Sequence, residues 1–165
     1  MELLHNTQKK TCYSQEVFVF NLPAPGTCKP TRWCSANCYA QRSHLNKIHR
    51  EARYKISLSS SFPNLIKEEI GRKKIKIVRV HSTGDFYSED YVRKWIEIGQ
   101  CCPNIFFRTS TRRLDLAEIL SELNKLPNFV VRESLDPSRK EASMNLPLEV
   151  IETFSSISKC NTLVI

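Results

Sequence analysis

Nowhere does this sequence stay apolar for the roughly 20 residues that a bilayer-spanning helix requires, which excludes an α-helical membrane span. Its first residues, MELLHNTQKK, have neither the basic start, the apolar centre nor the small-residue cleavage site of a secretory signal peptide. No low-complexity tract and no long linker interrupts the chain, so residues 1–165 are expected to form a single domain, long enough to bury a sizeable core. Acidic residues are in short supply. The 17 Asp and Glu against 25 Lys and Arg give a net charge of +8, and the pI is near 9.2. That balance leaves room for an anionic partner, nucleic acid or phosphate, and no membrane partner is expected.

What is present is a soluble globular composition, 41% hydrophobic and 25% charged. Seven cysteines, an odd number with three clustered, suit a metal site better than a disulfide framework. They go with a cytoplasmic protein whose thiols stay reduced.

Four apolar runs rich in β-branched and aromatic residues, VFVFNL, IKIVRVHS, NIFFRTS and NFVVRES, predict strands, and NTLVI at the end of the chain predicts a fifth. Helical patterns separate them. Residues 36–57 are polar and basic, and Phe62 to Gly71 predicts a short helix ending in its glycine. Ser88 and two acids precede a helix with Tyr91, Trp95 and Ile98 at helical spacing. RLDLAEILSELNKL repeats the arrangement with Leu116, Ile119, Leu120 and Leu123, and PLEVIETFSSI predicts one more helix. Strands alternating with helices imply an α/β fold, with a parallel sheet of about five strands and helices on its outer face. A complete eight-unit barrel takes about 200 residues or more, so a partial, TIM-barrel-like sheet is expected. A last strand at NTLVI with nothing over it would be a sticky edge, so it lies inside the sheet or in a chain that has been cut short.

Three strands end alike: IVRVHSTGD, FFRTSTRRLD and VVRESLDPSR. Side chains alternate along a strand, so Ile77, Arg79 and His81 share one face, as do Phe106, Arg108 and Ser110, and Val130, Arg132 and Ser134. The three arginines are therefore expected to converge near the C-terminal ends of the strands, the edge where parallel α/β proteins bind ligands. The alternative is that each pairs with a nearby acid such as Asp85, Glu133 or Asp136.

Cys28, Cys34 and Cys38 follow the first strand in a loop opened by LPAPGT, with spacing C-x5-C-x3-C. Three thiolates from one short loop suit one corner of a cubane iron–sulfur cluster, with the fourth iron open. Zinc is the rival metal, with His44, His49 or Cys12 as the fourth ligand, and unligated thiols are the third alternative. Cys101 and Cys102, just before Pro103, are expected to be structural, and Cys160 has no assigned place. Gly84 and Asp85 form a turn after the second strand, where a carboxylate and a backbone carbonyl could meet a ligand's amine or hydroxyls. The basic segment from Arg42 to Lys55, with Lys47, His49, Arg50 and Arg53 between, is either a phosphate-contacting element or a solvated helix.

The stretches NLPAPGTCKPTRWCSANCYA and VRVHSTGDFYSEDYVRKWIEIG resemble the paired signatures of the phage gene 88 protein family, over roughly residues 17–115. That family's cysteine loop and βα repeats are in turn similar to the radical S-adenosylmethionine enzymes. The resemblance implies that Cys28, Cys34 and Cys38 hold a [4Fe–4S] cluster. It places Gly84 and Asp85 against the methionine amine of S-adenosylmethionine, and Arg79, Arg108 or Arg132, with His81 on the same face, near the carboxylate. The usual spacing in that superfamily is C-x3-C-x2-C, and here both gaps are longer and a single glycine precedes the acid. Family members continue into a cysteine-rich tail, which implies a C-terminally truncated chain. A fourth cysteine ligand, Cys12 or Cys160, would close the open iron. The function expected is an iron–sulfur protein resembling a minimal radical S-adenosylmethionine enzyme, acting on nucleic acid or a nucleotide. The alternatives are a zinc- or cluster-stabilised nucleic-acid-binding module without catalysis, and a phosphate-binding domain whose arginines take a nucleotide.

Overall fold

The computed structural model describes residues 1–10, 15–42, 47–139 and 141–150. The chain opens with a ribbon of β1 (His5–Lys10) and β2 (Glu16–Phe20), followed by the short helices α1 (Arg32–Ala36) and α2 (Tyr39–Arg42). Two longer helices, α3 (Lys47–Leu58) and α4 (Phe62–Lys73), lead to β3 (Ile77–Val80). Then come α5 (Glu89–Cys101), β4 (Phe106–Thr111), a 3-10 turn over Leu114–Leu116, α6 (Ala117–Asn124), β5 (Phe129–Leu135) and β6 (Leu148–Val150).

The six strands form one sheet in sequence order, β2 to β6 all parallel and β1 antiparallel on the edge beside β2. This is the expected α/β fold with its mostly parallel sheet. Parallel strands added in one direction by crossovers of one hand carry their helices on one face. Consistent with this, α4 packs on α5 and α5 on α6. The sheet is open among the described residues, its order that of a stretch of barrel wall.

Three expectations need correction. PLEVIETFSSI does not begin a helix: Leu148–Val150 pairs with Glu133–Leu135 as the last strand, because the edge of β5 offers unpaired backbone groups there. The remainder of that segment and NTLVI lie outside the described residues. The helix from Phe62 runs past Gly71, and Lys74 ends it in the left-handed conformation (φ 53°). The Lys74 and Ile75 amides cap the carbonyls of Gly71 and Ile70 in a Schellman closure. The antiparallel β1 had no counterpart in the sequence reading.

Between sheet and helices Trp95 is fully buried, with edge-on contacts to Phe20, Phe62, Tyr91, Phe107 and Phe129. Helix α5 presents Tyr91, Trp95 and Ile98 because Ser88 starts it in register: its Oγ accepts from the Tyr91 amide at 3.3 Å. Burial of an indole of this kind makes Trp95→Ala costly, about 3–5 kcal/mol, measurable as a drop in the urea midpoint without loss of helical signal at low denaturant.

Candidate functional site

The loop after β2 is fastened to the turn after β3. The Asn21 side-chain oxygen accepts from the Ser82 and Thr83 amides at 2.8 and 2.9 Å, and the Leu22 amide donates to the Thr83 carbonyl at 3.0 Å. Gly84 has φ +81°, and a Cβ there would stand 2.6 Å from Leu22 Cβ and 2.8 Å from Thr27 Oγ1. Only a glycine fits both the backbone conformation and the space. Thr27 donates to the Pro23 carbonyl and accepts from the Asp85 amide, so the two loops share one hydroxyl.

The cysteines sit on this framework. Thr31 caps α1 by accepting from the Cys34 amide at 3.1 Å and donates to Asp136 Oδ2 at 2.5 Å. Asp136, past the end of β5, also takes Arg112 Nε at 3.2 Å. Burial raises the pKa of Asp136, but the Thr31 and Ser138 hydrogen bonds and the Arg112 charge outweigh it and hold the carboxyl below its ordinary value. The loop is thus tied to the C-terminal ends of three neighbouring strands. Cys28, Cys34 and Cys38, all half-buried and free, line one cavity of about 120 Å³ at that edge, together with Arg79, Gly84 and Asp85. Burial pushes the Cys28 thiol up to about 12, with Asp85 and the other two cysteines adding to it. Burial also raises Cys34, against the pull of Arg112. Any metal here must displace protons, so loading weakens as pH falls.

Asp85 is buried and heavily used. Its Oδ1 accepts from Thr111 Oγ1 at 2.7 Å and from the Phe86 amide at 2.8 Å, and Oδ2 accepts from the Arg112 amide at 3.1 Å. Its pKa is raised by burial, with these hydrogen bonds opposing. A carboxylate offers about four acceptor positions, so these bonds leave room for one further contact at Oδ2.

The arginine repeat divides. Arg79 stands opposite Arg108, and Arg132 opposite Ser110, so all three are on one sheet face. Arg79 lines the cavity, but further along the sheet Ser110, Arg112 and Ser134 occupy the wall. The converging-arginine expectation therefore holds for the face and not for the cavity, because Arg108 and Arg132 sit two residues below Ser110 and Ser134. Of the acids named as alternative partners, Glu133 is fully buried, pairs with Arg139 at 2.7 Å and accepts the Ser143 and Met144 amides.

His81 is among the residues lining the cavity, but its ring departs from the expected face. At φ 64° it leaves strand geometry, and its ring turns to the helix side against Phe86, with Nε2 2.9 Å from the Tyr91 hydroxyl. Burial pushes its imidazole down to about 3. The unfolded chain keeps an ordinary value near 6.5, so between about pH 6.5 and 3 only the unfolded state takes this proton. The contribution is complete above pH 6.5 and is lost at about 1.4 kcal/mol per pH unit below it. His81→Asn, whose side chain tolerates the left-handed backbone, should show a shallower acid limb in urea midpoints; an unchanged slope would refute the assignment.

Other expected groups fall apart or out of view. Cys101 is exposed and Cys102 half-buried at the end of α5, neither on the cavity, and Cys12, His44 and Cys160 lie outside the described residues. Sequence reasoning missed Thr31 and Arg112, and named Asp136 as a partner for the three strand arginines, whereas it pairs with Arg112. Thr31 was legible as a helix cap three residues before Cys34.

A family model described as gene product 88 matches residues 2–158. The chain belongs to the gene product 88 family. No curated protein and no solved structure matches it. The gene product 88 match begins ahead of β1 and runs past β6, so it takes in both edges of the sheet as well as the cysteine loop.

Proposed function

We propose that this gene product 88 protein is an iron–sulfur protein whose cluster sits on Cys28, Cys34 and Cys38, and that it is an S-adenosylmethionine-dependent radical enzyme acting on nucleic acid or a nucleotide. The observation that carries this is the meeting of three thiols from one loop with Arg79, Gly84 and Asp85 in one cavity at the C-terminal edge of a parallel sheet.

The donor set suits the group. Among the described residues no three His, Cys, Asp or Glu side chains are gathered to hold a metal ion as they stand. The three thiols do line one cavity, and soft thiolates are the ligands an iron–sulfur cluster takes. Bound there, a [4Fe–4S] cluster with one iron free of protein ligands would supply one electron and a chelating position for an amino acid's amine and carboxylate.

The chain's own groups have defined tasks. Cys28 and Cys34 give up protons that burial makes them hold tightly. Arg79 supplies positive charge for a carboxylate, and Asp85 offers the remaining acceptor position on Oδ2 to an ammonium group. Gly84, lacking a side chain, lets the backbone form that wall.

Anaerobic purification with iron and zinc analysis and a visible spectrum tests this. Brown protein carrying about four irons per chain is the expected result. Colourless protein with one zinc would instead support a structural, non-catalytic metal module. Asp85→Asn in cluster-loaded protein should weaken S-adenosylmethionine binding about ten- to a hundredfold by calorimetry. Unchanged affinity would remove Asp85 from the ligand site.

A further inference from the structure

A second cavity, of about 490 Å³, adjoins the first, and the two share Tyr39, Ala40 and Thr83 as a common wall. Helix α3 supplies its basic side. The sequence offered this helix as either a phosphate contact or a solvated surface, and its charges in fact divide. Lys47, His49 and Lys55 are exposed, whereas Arg50 and Arg53, one turn apart, are only 7% and 6% exposed. Both buried arginines line the cavity, as does His5 from β1.

Arg53 donates Nε and Nη2 to the Glu2 carbonyl, both at 3.2 Å, which fixes the guanidinium and leaves Nη1 outside those bonds. Glu2, the one acid on the wall among the described residues, turns its carboxylate to Lys73 at 3.1 Å. The Nδ1 atom of His5 is buried with no hydrogen-bond partner among the described residues. The wall is therefore cationic, pre-positioned and supplied with an unused polar atom.

We propose that this second cavity binds the phosphate group of a small phosphate ester, on Arg50, Arg53 and His5, and that the rest of that molecule reaches past Tyr39 to the cysteine cavity. Naming the ligand as substrate rests on the iron–sulfur reading above; the phosphate site itself does not. The volume lies within the range of small-molecule pockets, about 300–1,000 Å³. Recessed arginines suit a terminal phosphate, because a polynucleotide backbone is met by exposed lysines and arginines along a surface. A guanidinium fork matches phosphate oxygens in pairs, which lysine does not. Tyr39, immediately after Cys38, donates its hydroxyl to the Ser82 carbonyl and so stands fixed at the boundary of the two cavities.

The test is calorimetric titration of the full chain, without added iron, with inorganic phosphate, adenosine monophosphate and adenosine. Phosphate and the monophosphate should bind and compete with each other, and adenosine at the same concentration should not bind. Arg50→Gln and Arg53→Gln should each weaken the monophosphate about ten- to a hundredfold. Arg93→Gln, which removes the same charge from a side chain 60% exposed on α5, should change affinity less than about twofold. Equal loss in Arg93→Gln, or no phosphate binding at millimolar concentration, would overturn the proposal. So would tight binding of a single-stranded oligonucleotide that phosphate does not displace. Should either arginine variant fail to fold, the comparison of monophosphate with adenosine on the unaltered chain decides. Cys28→Ala protein should keep the phosphate affinity, so that this site and the iron site fail or stand separately.

Discussion

Cys28→Ala, Cys34→Ala and Cys38→Ala proteins should each emerge from anaerobic reconstitution with their iron content and visible absorbance almost wholly lost, while Cys101→Ala keeps both. The three residues belong to one cavity, and among the described residues no fourth cysteine lines it. Cys101 ends α5 and is exposed, with Lys67 Nζ 3.9 Å from its sulfur. The effect should be all-or-none because metal binding free energies of the order of 10 kcal/mol are distributed over few ligands. Loading of the unaltered chain should rise from pH 6.5 to 8.5. Cys28, raised to about 12 chiefly by burial, must surrender its proton to the metal, and that exchange grows easier with pH. Full iron in Cys28→Ala protein would show that the loop does not carry the metal.

Gly84→Ala should damage fold and site together while leaving every functional group in place. A left-handed backbone costs a side-chain-bearing residue about 1–2 kcal/mol. The added methyl would also overlap Leu22 Cβ at 2.6 Å and the Leu22 carbonyl oxygen at 2.9 Å. Leu22 is fully buried, so it cannot swing aside without moving the strand end behind it. Overpacking of this kind adds about 1–3 kcal/mol, for a total near 3 kcal/mol. The shift would also part the shared Thr27 hydroxyl from the Asp85 amide, so iron retention should fall together with the urea midpoint. Gly26→Ala is the control, since a Cβ there meets nothing within 4 Å. A Gly84→Ala protein as stable as the parent would mean the two loops are not packed as described.

The fold was legible in the sequence because its signals are local. Four strands announce themselves as apolar runs, and Ser88 with Glu89 and Asp90 marks the start of α5. The cysteine spacing places three thiols in one loop whatever the rest of the chain does. Beyond this, contacts between residues far apart in sequence decide the outcome. The partnership of Thr31 with Asp136 spans 105 residues, and that of Arg112 with Asp85 spans 27, so no periodicity reveals either. The division of α3 into buried arginines and exposed lysines depends on the N-terminal segment lying against it. That segment is held where Glu69 accepts the Leu3 and Leu4 amides.

The sequence by itself determined the parallel α/β sheet, the face shared by Arg79, Arg108 and Arg132, and the nearness of the three cysteines, because each follows from chain periodicity or covalent spacing. Only the tertiary structure decided that Arg79 alone of the three lines the cavity, that Asp85 is largely taken up by its own chain, and that His81 packs its ring on the helix side. Those outcomes are set by strand register, by hydrogen bonds between distant loops and by one left-handed residue. None of the three is written in a local pattern, since each depends on which strand lies beside which.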